Sequence, residues 1–457
     1  MKHFRKKIIK YIGICLAGIC LAGNFLPLCE VKAAPVWPTA PGILAQTAVL
    51  MEASTGSVLY SKEAEKKMFP ASTTKLMTAL LAIEQSRLTD TVEITHDAVF
   101  SIGWDASRDG AVEGELYSME DALYAILLGS FNEFTYAVAE HVAGGDMDKF
   151  IDMMNERAKE LGCVNSHFMN AHGLHDASHY TCAYDLALVM KKCLEYPTFG
   201  RISNNYNYTL PDTNKRSSHA IPQRHKILNR TYKYNGVFAG KTGHTDEAGT
   251  CLVTAAERNG MTLICVVLGN ALGTDDCYTD TMSLFDYGFD NFEMTVASSD
   301  EGVKNAFPVL FSDKEAFVHK VTSDLSISET TLVLPKGAKF SEVFNKCTLT
   351  PIVEMQEGEN VIGKATFYYA DRNVGTADII FTSDSYQIVD PAELYLREYK
   401  DTEQFDETQY RILAGTLPVE EEKAPDLRPV IIGYIIGIIV LLFGIIILIR
   451  IYVRNKR

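Results

Sequence analysis

Nowhere in the 457 residues does a Cys-x-x-Cys pair occur, which removes the usual zinc-ribbon and thiol-redox signatures. Ten cysteines are present, but Cys15, Cys20 and Cys29 fall in an N-terminal leader, leaving Cys163, Cys182, Cys193, Cys251, Cys265, Cys277 and Cys347. That number is odd and most of the seven have apolar neighbours, so they read as small buried thiols and not as a disulfide framework. A cationic surplus is also missing: 43 Lys and Arg stand against 58 Asp and Glu, a net charge of −15. The leader holds six of those cations and Glu30, so the chain without it stands at about −20, and nucleic acid is excluded as a partner. Regular metal-ligand spacing is absent from His167, His172, His175 and His179, which share a polar loop with Asp176; they read as loop packing and hydrogen bonding. Cys20 and Cys29 lack a small residue directly before them, which excludes a lipid-modified cysteine.

Long apolar runs are confined to the two ends. Lys2, Arg5, Lys6, Lys7 and Lys10 precede the stretch from Tyr11 to Leu28, and Val31-Lys32-Ala33 supplies small residues where a signal peptidase cuts, so residues 1–33 are expected to be a signal peptide. From Val430 to Ile449 there is no charge or strongly polar group, a length that matches a hydrocarbon core of about 30 Å at about 1.5 Å per residue. Glu420, Glu421 and Glu422 precede this run and Arg450, Arg454, Lys456 and Arg457 follow it. Under the positive-inside rule the bulk of the chain is outside, with a transmembrane helix at 429–450 and a cytoplasmic tail at 451–457.

Between these ends the pattern is mixed. Ala48–Glu52 and Val58–Tyr60 read as a hairpin turning through Ala53-Ser-Thr-Gly56. Ser72–Glu84 is rich in helix formers and lacks Gly or Pro, so Ser72 is expected in a first helical turn. Ser118 with Asp121 resembles a capping box opening a helix that stops at Gly129, and a further helix resumes through Ala137–Val142, leaving Ser130 and Asn132 in the connection. Asn259-Gly260 marks a hairpin between Thr250–Glu257 and Met261–Leu268, with Lys241-Thr-Gly243 on a neighbouring strand. Strands at both ends of the segment with helices between them predict an α/β (α+β) domain at 34–297. Short β-type runs such as Thr330–Leu334, Val361–Tyr369 and Thr376–Phe381 predict a small all-β domain at 298–395, and acidic, weakly periodic sequence at 396–428 reads as a spacer.

Three motifs occur once each: Ser72-Thr-Thr-Lys75, Ser130-Phe-Asn132 and Lys241-Thr-Gly243. A lysine three residues after a serine shares its helical face, and when neutral it can deprotonate the hydroxyl. Burial and a second cation at Lys241 favour that neutral form. Ser130 can pass a proton between Lys75 and a leaving nitrogen, while the Asn132 amide can donate to a substrate carbonyl and orient the lysine. Lys241 offers a fixed cation for a carboxylate, Thr242 a hydroxyl donor, and Gly243 close approach of a peptide to the strand.

These motifs in this order form the set of penicillin-binding proteins and class A β-lactamases. From about Thr47 to Phe292 the chain resembles the D-alanyl-D-alanine carboxypeptidases, the low-molecular-mass penicillin-binding proteins. The likeness rests on Thr55-Gly-Ser-Val-Leu-Tyr60, Pro70-Ala-Ser-Thr-Thr-Lys75, His172-Gly-Leu-His-Asp176, Lys241-Thr-Gly-His-Thr-Asp-Glu-Ala-Gly249 and Asp286-Tyr-Gly-Phe289. Gly363-Lys-Ala-Thr-Phe-Tyr-Tyr369 with Val374-Gly375 is similar to that family's C-terminal β domain. The resemblance implies a β-lactamase/transpeptidase-like catalytic fold with Ser72 as nucleophile, Lys75 as base and Ser130 as proton shuttle. It implies Asn132 and Lys241 as substrate ligands, oxyanion-hole amides at Ser72 and His244, and no metal or organic cofactor. The expected substrate is the peptidoglycan stem pentapeptide, with β-lactams acylating the same serine.

Two departures stand out. Where the family usually has Ser-Gly-Asn this chain has Phe131, a ring that reads as core or cleft wall and is expected either to narrow the cleft or to alter turnover, and where many members end in an amphipathic helix this one is expected to span the membrane. A class A β-lactamase is disfavoured because its deacylating glutamate, roughly 35 residues after Ser-x-Asn, has no counterpart between Glu160 and Glu195. A non-catalytic β-lactam sensor is disfavoured because the eight residues after Ile449 are too few for a signalling domain.

Overall fold

The computed structural model describes residues 35–103, 106–297, 325–349 and 358–383. The expected signal peptide, spacer, membrane span and tail lie outside these residues. No helix among the described residues is long and apolar enough to cross a membrane. The described residues fall into two units: the first holds 35–297, 325–349 and 363–380, and of the second only 358–362 and 381–383 are described.

The N-terminal hairpin forms as its pattern predicts, β1 (Thr47–Glu52) with β2 (Val58–Lys62). Its turn is organised by Glu52, whose buried carboxylate accepts the Ser54 and Thr55 amides and both hydroxyls at 2.7–3.1 Å. Such charge-assisted bonds offset the desolvation of the carboxylate. Two small antiparallel hairpins follow, β3 (Thr91–Ile94) with β4 (Glu115–Ser118) and β5 (Asn207–Leu210) with β6 (His219–Pro222). The C-terminal part adds β7 (Val237–Thr245), β8 (Gly249–Arg258) and β9 (Met261–Asn270), and the last two turn at Asn259-Gly260, both at positive φ as a tight hairpin requires.

These strands build one antiparallel sheet in the order β2-β1-β9-β8-β7, so the first strand of the chain lies beside a late one. Both faces are covered, which is why β1 and β9 are nearly continuous runs of apolar residues. Val49, Met51, Ile264, Val266 and Leu268 join the larger core with the helices, whereas Ala48, Leu50, Leu263, Cys265 and Val267 join a second core on the opposite face. Alternation with period two assigns each side chain to its face. Each such Leu, Ile or Val contributes about 1.5–3 kcal/mol.

The helices are α1 (Lys75–Gln85), α2 (His96–Phe100), α3 (Met119–Tyr124), α4 (Asn132–Ala143), α5 (Met147–Glu160), α6 (Ala183–Leu194), α7 (Pro197–Ser203) and α8 (Asp276–Asn291). The expected capping box is present: Ser118 Oγ accepts the Asp121 amide at 3.1 Å and the Asp121 carboxylate bonds back to Ser118. Two boundaries differ from the sequence expectation. Ser72 sits in a short 3₁₀ turn, Ala71–Thr74, that leads into α1 at Lys75. Asn132 is the first residue of α4 instead of part of the connection, because Phe131 enters the core and lets the helix begin at once. Between α3 and α4 the chain widens into a π-helical turn, Ala125–Gly129, and exits through Ser130 at φ 59°; such turns recur at functional sites.

After α8, β10 (Phe292–Ala297) pairs antiparallel with β12 (Thr330–Pro335). A further sheet is ordered β11 (Leu325–Ile327), β15 (Arg372–Ser383), β14 (Gly358–Tyr369), β13 (Phe344–Leu349). All seven cysteines outside the leader are free thiols, and all but Cys347 are buried.

Candidate active site

Three separate elements converge on Lys75. This lysine is fully buried at the start of α1, and its Nζ lies 2.8 Å from Ser72 Oγ, 2.7 Å from Asn132 Oδ1 and 2.7 Å from the His172 carbonyl. The 3₁₀ turn brings Ser72 back over Lys75, α4 presents Asn132 from its first turn, and the 167–181 loop supplies the carbonyl. A neutral amine has two N–H donors and one lone pair. Asn132 and His172 accept the two donors, which directs the lone pair at the serine hydroxyl.

Burial first, then the Lys241 cation, then Arg224, push the Lys75 pKa well below 10.5, against an opposing pull from Glu133. Lys241, buried on β7, donates from Nζ to Ser130 Oγ at 2.9 Å and to the Thr242 carbonyl at 2.8 Å. Burial and Arg224 lower its pKa to about 7. Ser130 is thereby fixed by Lys241, while its left-handed backbone is held by the π turn. Thr242 is half-buried and His244 exposed on the same strand, opposite Leu252 and Thr250 of β8. Gly243 is required where it stands: a Cβ there would lie 2.8 Å from the Pro70 carbonyl and 3.2 Å from the Ala71 Cβ, so β7 seats directly against the turn that carries Ser72.

The seven residues expected at the site come from the 3₁₀ turn and the start of α1 (Ser72, Lys75), from the passage between the π turn and α4 (Ser130, Asn132) and from β7 (Lys241, Thr242, His244), with Ser72, Lys75 and Asn132 joined by direct hydrogen bonds and Lys241 and Ser130 by another. Three contributors were not anticipated. Arg224 is placed by its own amide, which donates to the Leu128 carbonyl of the π turn at 3.1 Å, and its guanidinium stands 5.7 Å from the Phe131 ring centre. Glu133 follows Asn132 on α4, fully buried; its Oε1 accepts the Asp109 and Gly110 amides at 2.7 and 3.0 Å, and burial raises its pKa. His179 meets the site through Thr74. None has a local signature, since each acts through a contact between segments distant in sequence.

The loop histidines have separate partners: His167 Nδ1 faces the Ser178 carbonyl, His175 lies 3.9 Å from Glu247, and His179 Nε2 lies 2.9 Å from Thr74 Oγ1. Among the described residues no cluster of three His, Cys, Asp or Glu is arranged to hold a metal ion.

Of the two readings open for Phe131, the structure shows the core one. Its side chain is 5 % exposed and belongs to the core, and its ring lies so close over Gly129 that a Cβ at that glycine would be 2.2 Å from it. The ring packs as part of the core beneath the site. Phe131→Ala is therefore expected to destabilise the fold by about 3–5 kcal/mol without accelerating turnover. Denaturant unfolding checks this, and a faster enzyme of unchanged stability would restore the narrowing idea.

The family model described as D-alanyl-D-alanine carboxypeptidase, peptidase S11, matches residues 34–271, more than half of the chain. The chain belongs to this family. As a member it is a serine-type carboxypeptidase. Among its relatives, D-alanyl-D-alanine carboxypeptidase DacF of Bacillus subtilis is 33 % identical over 255 residues, 54 % of this chain and 63 % of the relative's own length. DacA of Haemophilus influenzae is 28 % identical over 361 residues, covering 76 % and 86 %. The chain is similar in structure to penicillin binding protein 5 from Haemophilus influenzae, with TM-score 0.60, 28 % identity and coverage of 76 % of this chain and 99 % of that one. The Streptomyces K15 DD-transpeptidase covers 55 % of the chain with TM-score 0.52 and 29 % identity. These S11 likenesses carry the mixed α/β penicillin-binding fold for the described catalytic segment.

Proposed function

We propose that this carboxypeptidase removes the terminal D-alanine from peptidoglycan stem pentapeptides through an acyl-serine intermediate, and that β-lactams acylate the same serine. The observation that carries the reading is the 2.8 Å approach to Ser72 Oγ of a buried Lys75 whose pKa is pushed well below 10.5. Ser72 attacks the carbonyl of the D-Ala-D-Ala bond as Lys75 takes the hydroxyl proton. Negative charge forms on the carbonyl oxygen, which the Ser72 and His244 amides stabilise. Collapse breaks the C–N bond, Ser130 passes the proton to the leaving nitrogen, and D-alanine departs. Water then attacks the ester carbonyl and gives a proton to Lys75, the bond from that carbonyl to Ser72 Oγ breaks, and Lys75 returns the proton to Ser72 as the shortened peptide leaves. Lys241 and Thr242 hold the terminal carboxylate, with Arg224 as a second cation nearby, and Asn132 aligns Lys75 and the substrate amide.

In this reading, residues 34–297 are the catalytic domain and 298–395 a small β domain. Residues 1–33 direct export, 396–428 form a spacer, 429–450 span the membrane and 451–457 remain cytoplasmic. The catalytic domain then faces the bacterial cell wall. The uncharged run from Val430 to Ile449, with its flanking charges, supports the anchor.

Release of D-alanine from a D-Ala-D-Ala peptide, compared with hydrolysis of a penicillin by the full chain, tests the assignment. D-alanine release with slow or absent penicillin hydrolysis is expected. Rapid penicillin hydrolysis without D-alanine release identifies a β-lactamase, and covalent labelling without either identifies a sensor.

A further inference from the structure

The nucleophile turn begins in a conformation that an L-residue adopts at a cost. Ala71 stands at φ 47°, which costs about 1–2 kcal/mol for a residue with a Cβ. Something must hold it there. Thr74 Oγ1 lies 2.9 Å from the Ala71 carbonyl and donates its single proton to it. Having spent that proton, the hydroxyl accepts from its other partner, His179 Nε2, at 2.9 Å. The tautomer is settled at the far side of the imidazole, where the Met169 amide donates to His179 Nδ1 at 3.2 Å. Nδ1 is thus the acceptor and Nε2 carries the hydrogen. Burial keeps the ring neutral, with its pKa lowered to about 4.

The result is a chain of donors running one way: Met169 N–H to His179, His179 Nε2–H to Thr74, Thr74 O–H to the Ala71 carbonyl. Both side chains are at least 98 % buried. The segment carrying His179 is tied to the turn twice more. Met68 and Thr181 exchange backbone hydrogen bonds at 2.7 and 2.9 Å, and Gly173 leaves no room for a Cβ, which would lie 1.9 Å from the Ala71 oxygen.

The Ala71 carbonyl and the Ser72 N–H belong to one planar peptide, pointing to opposite sides of it. Holding the oxygen therefore aims the N–H, and hydrogen bonding to the oxygen polarises that N–H toward a stronger donor. We propose that His179 is a positioning residue of the reaction, acting through Thr74 to fix the Ala71–Ser72 peptide so that the Ser72 amide stabilises the oxyanion. The inference rests on Ser72 being the nucleophile, as proposed above. His179 touches neither substrate nor reacting atoms.

The test is stopped-flow acylation of the full chain by a fluorescent penicillin, separating the non-covalent dissociation constant from the acylation rate constant. Affinity for a D-alanine-like boronic acid, which forms a tetrahedral adduct, is measured alongside. His179→Leu removes the Nε2 donor, and Thr74→Val cuts the relay at the hydroxyl with little change of volume. Each is expected to lower the acylation rate constant by about 10–100-fold, less than the about 10²–10³-fold typical of deleting an oxyanion donor outright. The initial dissociation constant stays within about threefold and boronate affinity falls with the rate. His179→Gln keeps a donor near Nε2 and is expected to restore most of the rate. The Leu and Val changes combined are expected to be no worse than the more severe single change, since both break one relay.

Wild-type acylation in both Thr74→Val and His179→Leu, a loss confined to the dissociation constant, or a glutamine variant as slow as leucine would overturn the relay. If His179→Leu does not fold, Thr74→Val and His179→Gln decide the matter. Labelling that persists in Ser72→Ala defeats the nucleophile assignment instead, so the two failures are distinguishable.

Discussion

Lys75→Met slows acylation of Ser72 by penicillin, and D-alanine release with it, by about 10³-fold or more. Methionine fills most of the volume of the lysine stem, so the fold is expected to persist. What is lost is the group 2.8 Å from Ser72 Oγ that takes its proton. The size of the effect follows from the absence of a substitute. Asn132 and the His172 carbonyl cannot accept a proton at ordinary pH, and Lys241 is engaged with Ser130 and the Thr242 carbonyl. Stopped-flow acylation measures the rate, and circular dichroism verifies the fold. A folded Lys75→Met variant acylating within tenfold of wild type would remove lysine from the role of base.

Lys241→Gln is expected to raise KM for a peptide ending in a free carboxylate by about 10–100-fold, the scale of one charge-assisted contact in a shielded site. It also lowers kcat, because Ser130 loses the partner that holds its hydroxyl. A C-terminal amide of the same peptide offers no carboxylate to lose, so its KM changes little between the two enzymes. That difference between acid and amide is the diagnostic result. Equal effects on both peptides would mean that Lys241 supports the site without gripping the carboxylate. In the wild type, burial and Arg224 lower the Lys241 pKa to about 7, so carboxylate affinity is expected to weaken as pH rises through that region and the ammonium is lost.

Much of this was legible in the sequence where the determinant is local. The Ser118–Asp121 capping box, the N-terminal hairpin and the Asn259-Gly260 hairpin formed as read, since each depends on residues a few positions apart. Motif order singled out Ser72, Lys75, Ser130, Asn132 and Lys241 because the proposed chemistry demands those residue types at those spacings, and the chain brings them together. What escaped was set by contacts across the chain. Whether Phe131 faces the cleft or the core is decided by the space over Gly129, which no nearby residue announces. Arg224 reaches the site because its amide bonds to Leu128, some hundred residues earlier. His179 looked like one of several loop histidines, and its distinction arises only when the loop folds against Thr74. The early start of α4 has the same origin, as tertiary burial overrode the expected break.

The central claim is that Lys75 is uncharged when Ser72 attacks. The most direct measurement is the pH dependence of the acylation rate constant at saturating penicillin. Protonated Lys75 cannot accept the serine proton, so the rate rises with pH as the ammonium deprotonates, and the lowered pKa places that rise well below 10.5. A rate that rises with pH and levels off well below pH 10.5 is the predicted result. A rate still rising toward pH 10, as an ordinary solvated lysine would give, would contradict the account.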